Sequence, residues 1–96
     1  MKFAICNEVF EGWTIDDSIK FVAETGYDAI EVAPFTLAQY VTEVPVEERH
    51  RIRSVAVDNG IGISAVHWVL IKTEGMYMTH TDPEIRRKTA DYFCEL

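Results

Sequence analysis

Residues 59–68, Asn-Gly-Ile-Gly-Ile-Ser-Ala-Val-His-Trp, decide the fold that the rest of the chain is expected to adopt. Asn59 and Gly60 predict a helix end, because glycine adopts the left-handed conformation of a helix C-terminus without steric cost. The uncharged run 61–66 is typical of a strand buried on both faces, as in a parallel sheet. His67 follows at the strand's carboxyl end, where α/β folds place their chemistry. His67 can bind a metal or move a proton near neutral pH, so we expect it to belong to a site.

The same alternation of strand and helix extends along the whole chain. We predict strands near residues 2–7, 28–33 and 61–67, and helices near 14–25, 45–58 and 82–95. Thr14 and Asp82 are favourable N-cap residues, Pro83 suits a first helical position, and Gly26 predicts a helix end. The order predicts an α/β fold of three consecutive βα units with parallel strands. Because a closed eight-unit barrel takes about 250 residues, we expect residues 1–96 to be a partial barrel that ends inside its third helix.

Composition and charge exclude several classes of function. The 96 residues are 48% hydrophobic and carry a net charge of −7, which argues against a nucleic-acid partner. No run of about 18 apolar residues predicts a membrane span, and the apolar N-terminal stretch is too short for a signal peptide. A single disulfide between Cys6 and Cys94 is one alternative. Without secretory features, we expect reduced cysteines and a cytoplasmic protein.

Four segments of the sequence resemble the xylose isomerase-like TIM barrels, and within them the sugar phosphate isomerase/epimerase group. They are residues 1–13 followed by a capped helix, Gly-Tyr-Asp-Ala-Ile-Glu-Val at 26–32, the stretch at 60–68, and Thr-Asp-Pro-Glu-Ile-Arg-Arg at 81–87. The resemblance covers nearly the whole chain but only the first three of the family's eight βα units. It implies the N-terminal part of a (β/α)8 barrel that isomerises or epimerises a small sugar or sugar phosphate by abstracting a proton next to a carbonyl.

The resemblance also implies a divalent metal ion (Mn, Mg, Co or Zn) in the complete barrel. The family's metal ligands and catalytic carboxylates lie on later strands, and no position of this chain matches them. We therefore assign no metal ligand here and expect no tight metal binding by this chain alone. The complete barrel is expected to be an enzyme, whereas the sequence leaves open whether this chain alone is one.

What the resemblance assigns to this chain is the wall of a substrate pocket. The expected pocket residues are Asn7 and Phe10 after the first strand, Glu31 on the second, and His67 and Trp68 after the third. The residues themselves leave alternatives open. Glu31 could instead pair with a neighbouring cation, His67 could be a hydrogen-bonded structural residue, and Trp68 could serve only in packing.

Two functions from different classes follow from the sequence. In the first, the chain is part of a metal-dependent isomerase or epimerase whose Asn7, Glu31 and His67 bind the hydroxyl groups of a small carbohydrate. In the second, it is a non-catalytic, truncated barrel fragment that folds by self-association. Without the missing βα units, the three-stranded sheet would leave an apolar flank uncovered, so we expect another copy of the chain to cover it as a homo-oligomer.

Overall fold

The computed structural model describes residues 1–96 and shows three βα units in the predicted order. The elements are β1 (Ala4–Cys6), α1 (Ile15–Thr25), β2 (Ala29–Val32), α2 (Val46–Asp58), β3 (Gly62–Val66) and α3 (Pro83–Phe93). The strands form one sheet in the order β1-β2-β3, and both neighbouring pairs are parallel. The predicted α/β fold with three parallel strands is therefore confirmed.

Local capping residues set the helix limits. The Thr14 hydroxyl accepts a hydrogen bond from the Asp17 backbone N–H at 3.1 Å, and the Asp82 carboxylate accepts one from the Glu84 N–H at 2.9 Å. Gly26 has φ 95°, in the left-handed region that glycine adopts readily, and it ends α1. These residues stop and start the helices where the sequence predicted.

The hydrophobic core lies between helices α1 and α2 and one face of the sheet. Ile30 at the centre of β2 is 0% exposed and packs with a cluster that also contains Ile19, Val22, Ile52, Ala56 and Ile61. Ile5 and Ile63 are the register partners of Ile30 on the two neighbouring strands. On the opposite face, Cys6, Glu31 and Ala65 form one row across the sheet. The only charged strand residue thus lies on the face away from the core.

Strand β3 is exposed along its whole length, so the expectation of a strand buried on both faces is wrong for this chain. The reason is that β3 is an edge strand with β2 on one side only. Helix α3 does not cover it either, because α3 is fastened to the loop before α2. There the Tyr92 hydroxyl accepts a hydrogen bond from the Val41 N–H at 2.9 Å, and Arg49 donates to the Glu95 carbonyl at 2.8 Å.

Cys6 and Cys94 are both free, Cys6 being half-buried and Cys94 exposed. None of the helices combines the length and the hydropathy that crossing a bilayer requires.

Candidate functional site

Three titratable side chains meet at the carboxyl ends of the strands: Glu8, Glu31 and His67. His67 Nδ1 lies 3.3 Å from Glu31 Oε2, and His67 Nε2 lies 3.8 Å from Glu8 Oε1. The backbone N–H of His67 donates to the Val32 carbonyl at 2.9 Å, which fixes the position of the strand end. Glu31 and His67 were both expected here from the sequence, and they are in contact.

A register shift in the sheet brings His67 to this face. Ile63 pairs with Ile30, but the partner of Glu31 is Ala65, so one extra residue of β3 is accommodated between the two pairs. Such a bulge re-aims the side chains that follow it. Side chains then alternate from Ala65 onwards, and His67 emerges on the same face of the sheet as Glu31.

Glu8 is a site residue that the sequence did not predict. It lies in the short 3₁₀ turn Asn7–Val9 directly after β1, as His67 lies directly after β3. Its Oε2 atom is buried and has no hydrogen-bond partner within the chain. A buried carboxylate oxygen without a partner is costly and uncommon in native structures, so its presence indicates a role beyond packing. An acidic residue immediately after a parallel strand was the available signal.

Asn7 ties the end of β1 to the loop after β2. Its Oδ1 accepts a hydrogen bond from the Ala33 N–H at 2.8 Å, and its Nδ2 donates to Thr36 Oγ1 at 2.7 Å. The residue is only 5% exposed. These bonds fix the turn from which Glu8 projects, so Asn7 positions the site, and its expected contact with a sugar hydroxyl stays a prediction.

Aromatic rings form one wall beside His67. The rings of His67 and Trp68 are stacked, with centroids 5.6 Å apart and an interplanar angle of 20°, and Trp68 stacks on Phe35 at 6.3 Å. Trp68 has φ 52°, an uncommon conformation for a residue other than glycine. Such a backbone conformation costs about 1–3 kcal/mol and is found most often at functional sites. The surrounding contacts must offset this cost to keep the Trp68 ring in its position.

A cleft of about 440 Å³, a volume that suits a small molecule, opens beside Glu8, and none of Glu31, His67 and Trp68 lines it. Its lining residues are Asn7, Glu8, Phe10, Glu11, Gly12, Trp13, Phe35, Thr36 and Lys72. Phe10, expected in the pocket from the sequence, contributes an apolar wall together with Trp13 at a centroid distance of 5.3 Å. Lys72 is the only cationic residue of the lining, and its Nζ lies 4.8 Å from the centroid of the Phe35 ring. The cleft therefore combines aromatic surface with a predominantly acidic rim.

The carboxylates also act on the neighbouring thiol. Burial raises the pKa of Cys6 above its ordinary value of 9.0, and the negative charges of Glu8 and Glu31 raise it further. Cys6 therefore remains a neutral thiol near pH 7. The negative charge of this part of the site resides on the two glutamates.

No group of three His, Cys, Asp or Glu side chains in the chain is arranged to hold a metal ion. The cluster of Glu8, Glu31 and His67 offers hydrogen-bond acceptors and one imidazole. Its chemistry is suited to binding a ligand rich in hydroxyl groups.

These features define the class of the protein: the chain has the α/β fold of the N-terminal part of a xylose isomerase-like TIM barrel, and the resemblance inferred from its sequence is confirmed. The evidence is a solved structure of D-psicose 3-epimerase, determined in the presence of D-fructose, to which the chain is similar with a TM-score of 0.77 and 26% sequence identity. The match covers 99% of this chain and 32% of the epimerase, so the chain spans about a third of that enzyme's length. No family model and no curated protein matches the sequence.

Proposed function

We propose that this chain forms the substrate-binding wall of a sugar isomerase or epimerase barrel. The observation that carries the proposal is the cluster of Glu8, Glu31 and His67 at the strand ends of a fold similar to D-psicose 3-epimerase. In barrels of this kind, the carboxyl ends of the strands are where substrates bind. The substrate class is a small carbohydrate, and the reaction is proton abstraction next to its carbonyl group.

The three polar side chains would act by binding and orienting the sugar. A sugar hydroxyl can donate a hydrogen bond to a carboxylate oxygen of Glu8, and a second hydroxyl can donate to His67 Nε2, which is an acceptor when the imidazole proton lies on Nδ1. Glu31, 3.3 Å from His67 Nδ1, favours a proton on that nitrogen and so fixes the orientation of the imidazole. The unpartnered Glu8 Oε2 atom would gain a hydrogen bond when the substrate enters.

The aromatic wall would exclude water from the bound sugar. The stacked rings of Phe35 and Trp68 present a flat apolar surface beside the polar cluster. A sugar has a face of C–H groups that packs against such rings while its hydroxyls remain free to bond. The wall therefore complements the carboxylates by fixing which side of the ring faces them.

The divalent ion implied by the family resemblance is expected to be held by residues of later strands, since Glu8, Glu31 and His67 are not arranged to hold an ion by themselves. We assign no step to such an ion and no residue of this chain as the base that abstracts the proton. The contribution of this chain to the reaction is substrate recognition.

Backbone amide shifts of the ¹⁵N-labelled chain, measured while D-psicose or D-fructose is added, test the proposal. We expect the largest shifts at Glu31, His67 and Trp68, with an affinity in the millimolar range, equivalent to about 4 kcal/mol. Glycerol, which has hydroxyl groups but no sugar ring, is the control ligand. The proposal would be rejected if glycerol caused equal amide shifts, or if the sugars shifted only residues away from the strand ends.

A further inference from the structure

The cleft of about 440 Å³ lies beside the polar cluster of Glu8, Glu31 and His67 but is separate from it. Glu8 is the only member of the cluster that also lines the cleft, and its Oε1 atom lies 3.8 Å from His67 Nε2. Phe35 lines the cleft as well, and its ring stacks on Trp68, which does not. Glu8 and Phe35 therefore form the boundary between the two. The volume of the cleft alone suits a small ligand, so the cleft can hold a group in addition to the one expected at the cluster.

The cleft belongs to the end of the fold where a barrel binds its ligands. Its nine lining residues all come from the loops that follow β1, β2 and β3. These loops meet at the carboxyl ends of the strands, which form the mouth of a complete barrel. The cleft is therefore built from three whole loops and contains no residue of the β3 edge.

Aromatic rings supply the apolar part of the cleft lining. The ring centroids of Phe10 and Trp13 lie 5.3 Å apart, and Phe35 contributes a third ring from the loop after β2. Trp13 is still 51% exposed, although its ring also packs edge-to-face against Phe21 at 5.4 Å. A half-exposed indole beside a cleft suits the C–H face of a sugar ring, because both surfaces leave water when they pack together.

The polar groups of the lining match the hydroxyl groups of a sugar. Glu8 and Glu11 offer acceptors, and the Lys72 ammonium offers donors. A hydroxyl group can donate and accept, so a polyol can use both kinds of partner. A purely apolar group would leave them unpaired, and a phosphate group would meet two carboxylates against one ammonium. The lining therefore favours an uncharged ring that carries several hydroxyls.

Contacts with the loop after β2 hold Lys72 beside the cleft. Gln39 Nε2 donates to the Lys72 carbonyl at 3.3 Å, and the Glu74 N–H donates to the Tyr40 hydroxyl at 3.3 Å. The Lys72 ammonium lies 4.8 Å from the centroid of the Phe35 ring. Lys72 has φ 63°, a conformation that is uncommon outside glycine and is found most often at functional sites. The donor of the cleft is thus held in place before a ligand binds.

We infer that the cleft is a second sugar subsite and that the ligand of the whole site is a disaccharide that ends in a ketose. The ketose ring lies at the polar cluster. The second ring packs on Trp13, and its hydroxyls bond to Glu11 and Lys72. Glu8, at the boundary, is placed to accept hydrogen bonds from both rings. This inference rests on the proposed function, because the first ring is the sugar expected at the polar cluster.

Amide shifts of the ¹⁵N-labelled chain test the subsite by comparing D-fructose with lactulose, a disaccharide of galactose and fructose. D-fructose should shift Glu31 and His67. Lactulose should in addition shift Gly12, Trp13 and Lys72. Its Kd should be about three- to tenfold lower than that of D-fructose, the scale of one added aromatic contact. An equimolar mixture of D-galactose and D-fructose is the control, because unlinked rings do not share one binding event.

A substitution of Trp13 tests which surface holds the second ring. Trp13→Ala should reduce the ratio of the two affinities to about one, because the second ring loses its stacking surface. Tyr77→Ala is the matched control, since Tyr77 is 58% exposed and lies outside the cleft lining, and it should leave the ratio unchanged. Circular dichroism checks that both variants fold, and Lys72→Ala replaces Trp13→Ala if that variant unfolds.

The outcomes separate this inference from the proposed function. If D-fructose shifts Glu31 and His67 but lactulose binds no more tightly, the second subsite is rejected and the ketose site stands. If neither sugar binds, both are rejected. Equal effects of Trp13→Ala and Tyr77→Ala on the affinity ratio would also overturn the inference.

Discussion

Replacing His67 with alanine separates a ligand-binding role from a structural one. The side chain is 36% exposed, contacts Glu31 at 3.3 Å and Glu8 at 3.8 Å, and stacks on Trp68. Alanine removes all three contacts and leaves the backbone bond to the Val32 carbonyl in place. The strand end should therefore keep its position while the polar cluster loses its centre.

The expected effect of His67→Ala on the stability of the fold is smaller than its expected effect on the affinity for a sugar. A stacked aromatic pair is worth about 0.5–1.5 kcal/mol, and an ion pair at a partly exposed site about 0–1 kcal/mol. We therefore expect His67→Ala to lower the free energy of unfolding by about 1 kcal/mol, or Tm by roughly 4–8 °C. Losing a polar partner of the ligand costs about 1–3 kcal/mol, so the Kd for a sugar should rise by about 5- to 150-fold.

Sugar titrations and thermal melts of the same protein samples measure both quantities. His50→Ala is the matched control, because His50 is exposed on α2, away from the strand ends. In the complete barrel, His67→Ala should lower kcat/KM by the same factor as the affinity. If the melting temperature falls while the sugar affinity is unchanged, His67 is a structural residue and the site assignment is refuted.

Two further predictions concern the framework of the fold. Asn7→Ala leaves the buried Ala33 N–H without a partner and removes the hydrogen bond to Thr36. Urea unfolding should therefore show a free energy of unfolding that is lower by about 1–3 kcal/mol. A decrease below about 0.5 kcal/mol would contradict the positioning role of Asn7. The second concerns Asp16, whose pKa is held below its ordinary value of 3.8 by hydrogen bonds from Arg51. Because the lowered pKa belongs to the folded state, the pair stabilises the protein above pH 3.8, and this contribution is lost as the pH falls through the folded-state pKa. The Tm difference between the unmodified chain and Arg51→Gln should thus be present at pH 6 and vanish in strong acid, and a difference independent of pH would contradict it.

The sequence predicted the helices and strands well because their limits depend on local chemistry. Thr14 and Asp82 accept hydrogen bonds from the first turns of their helices, and Gly26 has the left-handed conformation expected of a helix end. Glu31, which the sequence placed on the second strand, likewise lies in β2. Each of these inferences needed only a few consecutive residues.

The burial of β3 could not be predicted in the same way, because burial depends on what lies beside a strand. The apolar run 61–66 indicates only that the segment can be buried without enclosing a charged side chain. Whether it is buried is decided by the neighbour of β3 and by the position of α3, which is held by the bonds from Val41 to Tyr92 and from Arg49 to Glu95. No periodicity within β3 or α3 carries that information.

The sequence did not predict that Glu8 faces His67, because the predicted first strand was one residue longer than β1. The predicted strand extended to residue 7, with Asn7 in the pocket, whereas β1 ends at Cys6 and a 3₁₀ turn begins at Asn7. The turn directs Asn7 inwards, where its amide oxygen accepts a hydrogen bond from the Ala33 N–H. Glu8, the next residue, faces His67. Strand periodicity cannot predict that Glu8 joins Asn7 in the lining of the cleft, because the 3₁₀ turn abolishes the alternation on which it relies. Asn7 and Glu8 consequently act as one unit, in which the buried amide fixes the turn and the turn presents the carboxylate to the cleft.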